Sequence, residues 1–274
     1  MSASTLVLVT GGSRGIGRYL AAGFAAAGYP VLLTATSADG ARRAAAEIAE
    51  ETGATVLGAQ LSVADPDSVA ALLDTVTGLE AAHGFRLGVL VNNAGVIEST
   101  EGPLWEADPA DLVRVIETNT IGPFLILHRF VPHLLDVAAA TGRPVRIIDL
   151  NSGSGATGTP PYAAYSASKA ALFRLADSVD HYGREHGLRI FEMAPGVIES
   201  DMTRSMPIHD RRTGDDWTSP AALVDLALAL AGGGLDAWSG RYVRAGLDTP
   251  ESLAAAADDL GEHTRRLRLD ARQG

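Results

Sequence analysis

The chain has 274 residues, 46% hydrophobic and 20% charged, enough core for one sizeable α/β domain and little room for a second. It has no cysteine, which excludes disulfides, thiolate metal ligands and a cysteine nucleophile, and which suits a reducing cytoplasm. A net charge of −11 with no basic stripe argues against nucleic acid and anionic membranes as partners.

Residues 6–9 read as a short buried strand that runs directly into Thr10-Gly11-Gly12-Ser13-Arg14-Gly15-Ile16-Gly17. Ile16, Leu20 and Phe24 then keep helical spacing, and Gly28 marks the helix end. Strand, glycine turn and helix in that order suit a dinucleotide diphosphate, because glycines let backbone N–H groups approach phosphate at the positive end of a helix dipole. An ordinary tight turn is the plainer alternative, disfavoured by its place at the head of a βαβ pattern. The next strand, 31–35, ends Thr34-Ala35-Thr36-Ser37, with no acid until Asp39. A carboxylate there would bind both ribose hydroxyls of NAD and repel a 2′-phosphate. Its absence, with Arg14, Thr36 and Ser37 placed to meet that phosphate, reads as NADP(H) preferred and NAD(H) still admissible.

Strands at 55–59 and 89–91 follow, separated by a helix that Asp65-Pro66 opens with an N-cap and a proline at the first helical position. Asn92-Asn93-Ala94-Gly95 closes the fourth strand, and Asn119 falls in a later helix. A fifth strand, 146–150, leads to Asn151-Ser152-Gly153-Ser154. Tyr165 and Lys169 come next at i and i+4, sharing one helix face. A phenol is a poor proton donor or acceptor at neutral pH, and an ammonium one turn away is expected to pull its pKa down into the range of a general acid or base. Taken singly, Tyr165 and Lys169 read as well as helix surface, Asn119 as a cap and Ser152 as a strand-end turn. A sixth strand, 189–193, precedes Pro195-Gly196-Val197-Ile198-Glu199-Ser200. Residues 200–218 lose all period, as a lid would, and Met206 and Trp217 within them suit pocket lining or core packing equally. Ser219-Pro220 opens another helix, and 241–244 is the seventh strand.

Strands alternating with helical patterns imply a parallel sheet covered on both faces. The expected fold class is therefore α/β, a single Rossmann-type doubly wound domain with a mainly parallel sheet flanked by helices on both faces. The domain is placed at 1–246. Residues 247–274 are read as a surface appendage, part helical from Thr249-Pro250-Glu251, with a polar end over 265–272. The first residues lack a basic n-region, so no signal peptide is expected, and the apolar stretch 221–234 is short and carries Asp225, so it reads as an internal helix and not a membrane span. The seven histidines lack metal-ligand spacing; His181 and His186, five apart with no carboxylate arranged between them, read as solvated helix surface, and no metal is expected.

Taken together and in this order, the motifs over about residues 5–245 resemble the short-chain dehydrogenase/reductase family. Gly11, Gly15 and Gly17 are similar to its cofactor turn, in which Ser13, Arg14 and Ile16 would also face the cofactor. Asn93, Ala94 and Gly95 resemble the motif ending its fourth strand, and Pro195, Gly196, Ile198 and Ser200 the segment that holds the nicotinamide carboxamide. Asn119, Ser152, Tyr165 and Lys169 resemble its catalytic tetrad. Within the family, the glycine turn, residues 34–37 and residues 200–204 look most like β-ketoacyl-carrier-protein reductases.

The resemblance implies that hydride passes from reduced nicotinamide to a carbonyl carbon while Tyr165 protonates the oxygen and Ser152 hydrogen-bonds it. Lys169 would lower the Tyr165 pKa and bind the nicotinamide ribose, and Asn119 would hold a water that resupplies protons. Three departures stand out. Ser62 occupies the family's usual Asp or Asn position near the adenine, Ser200 replaces a threonine, and the family's apolar closing segment is missing. A homodimer or homotetramer is the expected assembly, the dimer formed through the long helices after Asn119 and around Tyr165. Residues 124–140 carry only Arg129 and two histidines as basic groups, a poor match for an acidic carrier protein, so a free small-molecule carbonyl or alcohol, such as a ketone of secondary metabolism, is the favoured substrate. The alternatives are an alcohol dehydrogenase working in the oxidative direction and a non-catalytic NADP-binding redox sensor.

Overall fold

Runs rich in Val, Leu and Ile only three to seven residues long are too short for helices and become strands, the central ones buried on both sides. The computed structural model, which describes residues 4–269, forms them as β1 (Thr5–Val9), β2 (Val31–Ala35), β3 (Val56–Gln60), β4 (Arg86–Asn92), β5 (Val145–Leu150), β6 (Leu188–Ala194) and β7 (Tyr242–Arg244). They make one seven-stranded sheet in the order β3-β2-β1-β4-β5-β6-β7, and every neighbouring pair is parallel. The chain builds outward from β1 to β3, then returns to β4 on the other side of β1. That reversal opens a crevice at the carboxyl ends of β1 and β4, where open parallel sheets bind ligands.

The side-chain period of two along a strand divides the core. Val7 and Val9 of β1 face helices α1 (Gly15–Ala26), α2 (Ala38–Thr52) and α9 (Pro220–Gly232). Leu6 and Leu8 face α3 (Pro66–His83), α5 (Gly122–Thr141) and α7 (Ala163–Gly183). Local chemistry starts these helices where the sequence places them: Asp65 caps α3 through the Asp67 N–H and Ser219 caps α9 through the Ala222 N–H, each followed by proline.

Three details go beyond the sequence pattern. First, α4 (Pro109–Ile116) does not pass straight into α5. A wider turn with i to i+5 hydrogen bonding, Glu117–Ile121, joins them and carries Asn119. Second, the segment expected to be an aperiodic loop at 200–218 holds three short helical turns, α8 (Asp201–Arg204), Pro207–His209 and Gly214–Asp216. Thr218 pins its end to Val197, Met206 is buried, and Trp217 lies between Arg204 and Arg212. Third, residues after 246 are tied to the sheet. Leu253 of α10 (Pro250–Ala255) is buried, the Trp238 indole donates to its carbonyl at 2.8 Å, and the Tyr242 N–H donates to the Arg265 carbonyl beside β7. The part of the polar end that was placed at 270–272 lies outside the described residues.

Two helical glycines should respond oppositely to alanine. A Cβ at Gly78 on α3 would meet nothing within 4 Å, so Gly78→Ala should raise stability by about 0.5–1 kcal/mol. A Cβ at Gly17 on α1 would collide with the Gly11 carbonyl and the Asn93 amide, so Gly17→Ala should lower stability by about 1–3 kcal/mol. Urea denaturation of both variants checks the signs.

Candidate active site

The glycine turn is held by the strand beside it. Thr10 Oγ1 accepts the N–H groups of Asn93 (2.9 Å) and Ala94 (3.1 Å), and the Asn93 amide donates to the carbonyls of Thr10 (2.8 Å) and Gly11 (3.1 Å). Gly11 and Gly15 take φ of +64° and +54°, open to glycine without strain. Asn93, read from sequence as a cofactor contact, thus has its amide committed to the shape of the turn. Helix α1 then starts with no side-chain cap from Arg14 and no acid in its first turn. Its first N–H groups, those of Gly15, Ile16 and Gly17, are the orphan donors of a helix start. A diphosphate fits such a start, and a Cβ at Gly15 would meet only the Ser200 Cβ, at 3.9 Å, leaving room above the turn.

The remaining dinucleotide candidates lie along the same edge. Ser200 caps α8 through the Thr203 N–H, and Gly196 takes φ of +73° where a side chain would strike Thr218. Ile198 between them is buried, and Pro195 just before Gly196 is half-buried. Ser13 is half-buried, while Arg14 is 78% exposed and 3.6 Å from the equally open Asp201 carboxylate, a surface pair of little strength. Thr36 and Ser37 are exposed past β2, and the Ser37 hydroxyl caps α2 through the Gly40 N–H. Ser62 is exposed, its N–H bonded to Ser68 Oγ.

Four residues predicted to act together converge at the carboxyl ends of β4 and β5. Asn119 is buried in the wide turn. Its Oδ1 accepts the Val96 N–H (2.8 Å), and its Nδ2 donates to the Val96 carbonyl (2.7 Å) and to Ser168 Oγ (3.1 Å). Its amide therefore ties the loop after Gly95 to α7. A Cβ at Gly95 would lie 3.3 Å from Asn119 Oδ1 and 3.8 Å from Lys169 Nζ, so the glycine admits both. Ser152 caps the short helix α6 (Gly153–Thr157) and faces the Tyr165 phenol. Lys169 is 6% exposed, donates to the Leu150 carbonyl at 2.6 Å and has its Nζ 5.8 Å from the Tyr165 ring centre. It is also the only lysine in the sequence.

Burial controls the electrostatics. It lowers the Lys169 ammonium to about 8, against the opposing pull of Glu192 and Asp149. It raises the Tyr165 phenol above its ordinary value, opposed by Ser152 and reinforced by Glu98 and Tyr242. The i, i+4 spacing predicted a phenol lowered by Lys169. In the folded chain desolvation wins, and the phenol stays protonated at neutral pH.

Three acids beneath this site were not singled out from the sequence. Glu98, 6% exposed, accepts the N–H groups of Ala164 (2.7 Å) and Tyr165 (3.2 Å), capping α7 where Tyr162 offers no side-chain cap. Asp149 and Glu192 are buried in β5 and β6. For these two a signal existed: each is a lone acid inside an apolar strand run, near the carboxyl end.

Comparison with known proteins agrees with this geometry. The family model for short chain dehydrogenases matches residues 5–210. The chain belongs to that family. A short chain dehydrogenase of Monascus purpureus is 32% identical over 268 residues, covering 96% of this chain and 88% of its own length. The 3-oxoacyl-(acyl-carrier-protein) reductase FabG of Escherichia coli (strain K12) is 34% identical over 226 residues, covering 82% of this chain and 86% of itself. Among solved structures, the RhlG/NADP active-site complex of Pseudomonas aeruginosa superposes with a TM-score of 0.78 at 27% identity, covering 88% of this chain and 94% of that one. The family member described here is an NAD(P)-dependent oxidoreductase.

Because two backbone donors at the start of α7 rest on one buried carboxylate, Glu98→Ala should destabilise the fold by about 1–3 kcal/mol. Glu98→Gln keeps an acceptor oxygen and should cost less. Thermal unfolding of the two variants checks the order.

Proposed function

We propose that the chain is an NADPH-dependent reductase of a small-molecule ketone or similar carbonyl. The observation that carries this reading is the convergence of Ser152, Tyr165 and Lys169 beside the glycine turn, with a phenol that burial keeps protonated. A neutral phenol is the form that gives a proton away, as carbonyl reduction requires. When bound, the reduced nicotinamide supplies hydride to the carbonyl carbon.

The chain's own residues do the rest. Ser152 donates a hydrogen bond to the carbonyl oxygen as negative charge gathers there, a preorganised contact worth about 3 kcal/mol in such sites. Tyr165 passes its phenolic proton to that oxygen, and the Lys169 ammonium stabilises the phenolate left behind. The Asn119 amide is committed to Val96 and Ser168, so its part is to hold the wall beside Lys169, and any water for proton resupply falls to the backbone of the wide turn. The Gly15, Ile16 and Gly17 N–H groups would hold the diphosphate, and the 195–200 segment would hold the nicotinamide.

The preference for a 2′-phosphate is supported by Arg14 in the glycine turn, by Thr36 and Ser37 past the end of β2, and by the absence of an acid before Asp39, which itself pairs with Arg42. A free ketone is favoured over a carrier-bound thioester because α5 offers little basic surface. Self-association as a homodimer is assigned to the long helices α5 and α7, which carry the exposed Phe124 and Tyr182.

NADPH oxidation against ketones, β-keto thioesters and quinones tests the reading. Turnover on a ketone is expected; tight NADPH binding without turnover on any class would instead indicate a sensor. Tyr165→Phe should keep NADPH binding and lose about 10²–10⁴-fold in kcat, and near-normal turnover would refute its role. Arg14→Ala should weaken NADPH by roughly tenfold and leave NADH almost unchanged, the modest size reflecting an exposed arginine. Equal losses for both cofactors would remove the phosphate assignment.

A further inference from the structure

Buried strand interiors ordinarily carry apolar side chains, yet Asp149 on β5 and Glu192 on β6 are register partners at 0% and 1% exposure. The same level of the sheet continues to Asn92 on β4 and to Tyr242 on β7. The side chain of Lys169 on α7 enters above this row, bonded to the Leu150 carbonyl one residue past Asp149. Asn151 connects the row to the site: its Nδ2 donates to Glu192 Oε2, while its Oδ1 accepts the Ser152 N–H at 2.7 Å.

The charges must balance inside this cluster. Lys169 faces Asp149 and Glu192, with Tyr165 one turn earlier on its own helix, and Tyr242 and Asn92 are the neutral polar groups on the flanking strands. Among the described residues, no donor reaches Glu192 Oε1 or either Asp149 oxygen at full hydrogen-bonding distance, although the Asn92 amide faces Asp149. Two adjacent anions out of water with one cation beside them leave an uncompensated charge, whereas one proton shared between the carboxyls supplies both the missing donor and neutrality. The directions agree. Burial and Asp149 raise Glu192 well above the usual carboxylate range, and burial raises Asp149 to about 6.

We propose that Asp149 and Glu192 hold a single proton between them, and that the one negative charge left to the pair positions Lys169 and keeps its buried ammonium charged. They are positioning residues that act through Lys169, and through Asn151 on Ser152. Their value to the enzyme rests on the role given to Lys169 above, but the shared proton and its effect on the lysine are properties of the resting protein. Arginine supplies every other long cationic side chain here, and arginine stays charged in any setting. A lysine needs help to remain charged when buried.

A sole lysine makes the test direct. Lysine labelled with ¹³C at Cε, incorporated into the full chain with a lysine-free tag, gives one side-chain NMR signal that needs no assignment. The signal is titrated in wild type, Asp149→Asn, Glu192→Gln and the double variant, and infrared difference spectra at pH 7 read the protonated-carboxyl stretch. Wild type should show that stretch and a lysine midpoint near 8. Each single variant should lose the stretch, because the lone acid left behind ionises to pair with Lys169, and should hold the lysine midpoint close to wild type. The double variant should move the midpoint down by about 1–3 pH units. No protonated carboxyl in wild type, its survival in either single variant, or an unmoved midpoint in the double variant would overturn the proposal. Should the double variant not fold, the infrared spectra of the single variants decide. None of these readings uses cofactor or turnover, so a failed reductase assignment and a failed acid pair are told apart.

Discussion

Keeping one ammonium charged out of water is the constraint around which this structure is arranged. An isolated buried cation costs several kcal/mol unless partners compensate it. Lys169 finds those partners at the carboxyl ends of β5 and β6, in the Leu150 carbonyl and two strand acids. To bring it there, α7 must approach α6 closely. Gly155 permits this, since a Cβ there would press on the Lys169 backbone, and Glu98 satisfies the helix start.

The second half of the site comes from the reversal of strand order between β1 and β4. Thr10 and Asn93 bond across that junction, so the glycine turn and the loop after β4 form one edge and not two independent loops. Asn119 extends the connection from that loop to α7. Through these bonds and the short loop between Ala94 and Val96, the glycine turn is tied to the helix bearing Tyr165 and Lys169. Each anchor is a short-range bond made by a buried or half-buried side chain, which is how a preorganised polar site withstands solvent.

The sequence was most readable where the physics is local. Strands, glycine turn, proline-led helix starts and the tyrosine–lysine spacing all follow from patterns within a few residues. What the pattern did not contain was closure over distance. The Glu98 cap on Ala164 spans 66 positions, and the Asn151 bond to Glu192 spans 41. The raised Tyr165 pKa depends on burial, which helical spacing cannot reveal. Asn119 is expected in a helix, and only the hydrogen bonding shows the wider turn that carries it. In residues 201–216, turns of three or four residues are shorter than any detectable period.

The central claim is that one edge of the sheet holds a nicotinamide dinucleotide with its reactive end against Tyr165 and Lys169. A crystal structure of the full chain with NADP+ tests it most directly. The account predicts the diphosphate over the N–H groups of Gly15, Ile16 and Gly17, and the nicotinamide ribose within hydrogen-bonding distance of Lys169 Nζ. A dinucleotide bound away from this edge, or bound there with Lys169 and Tyr165 both out of its reach, would contradict it.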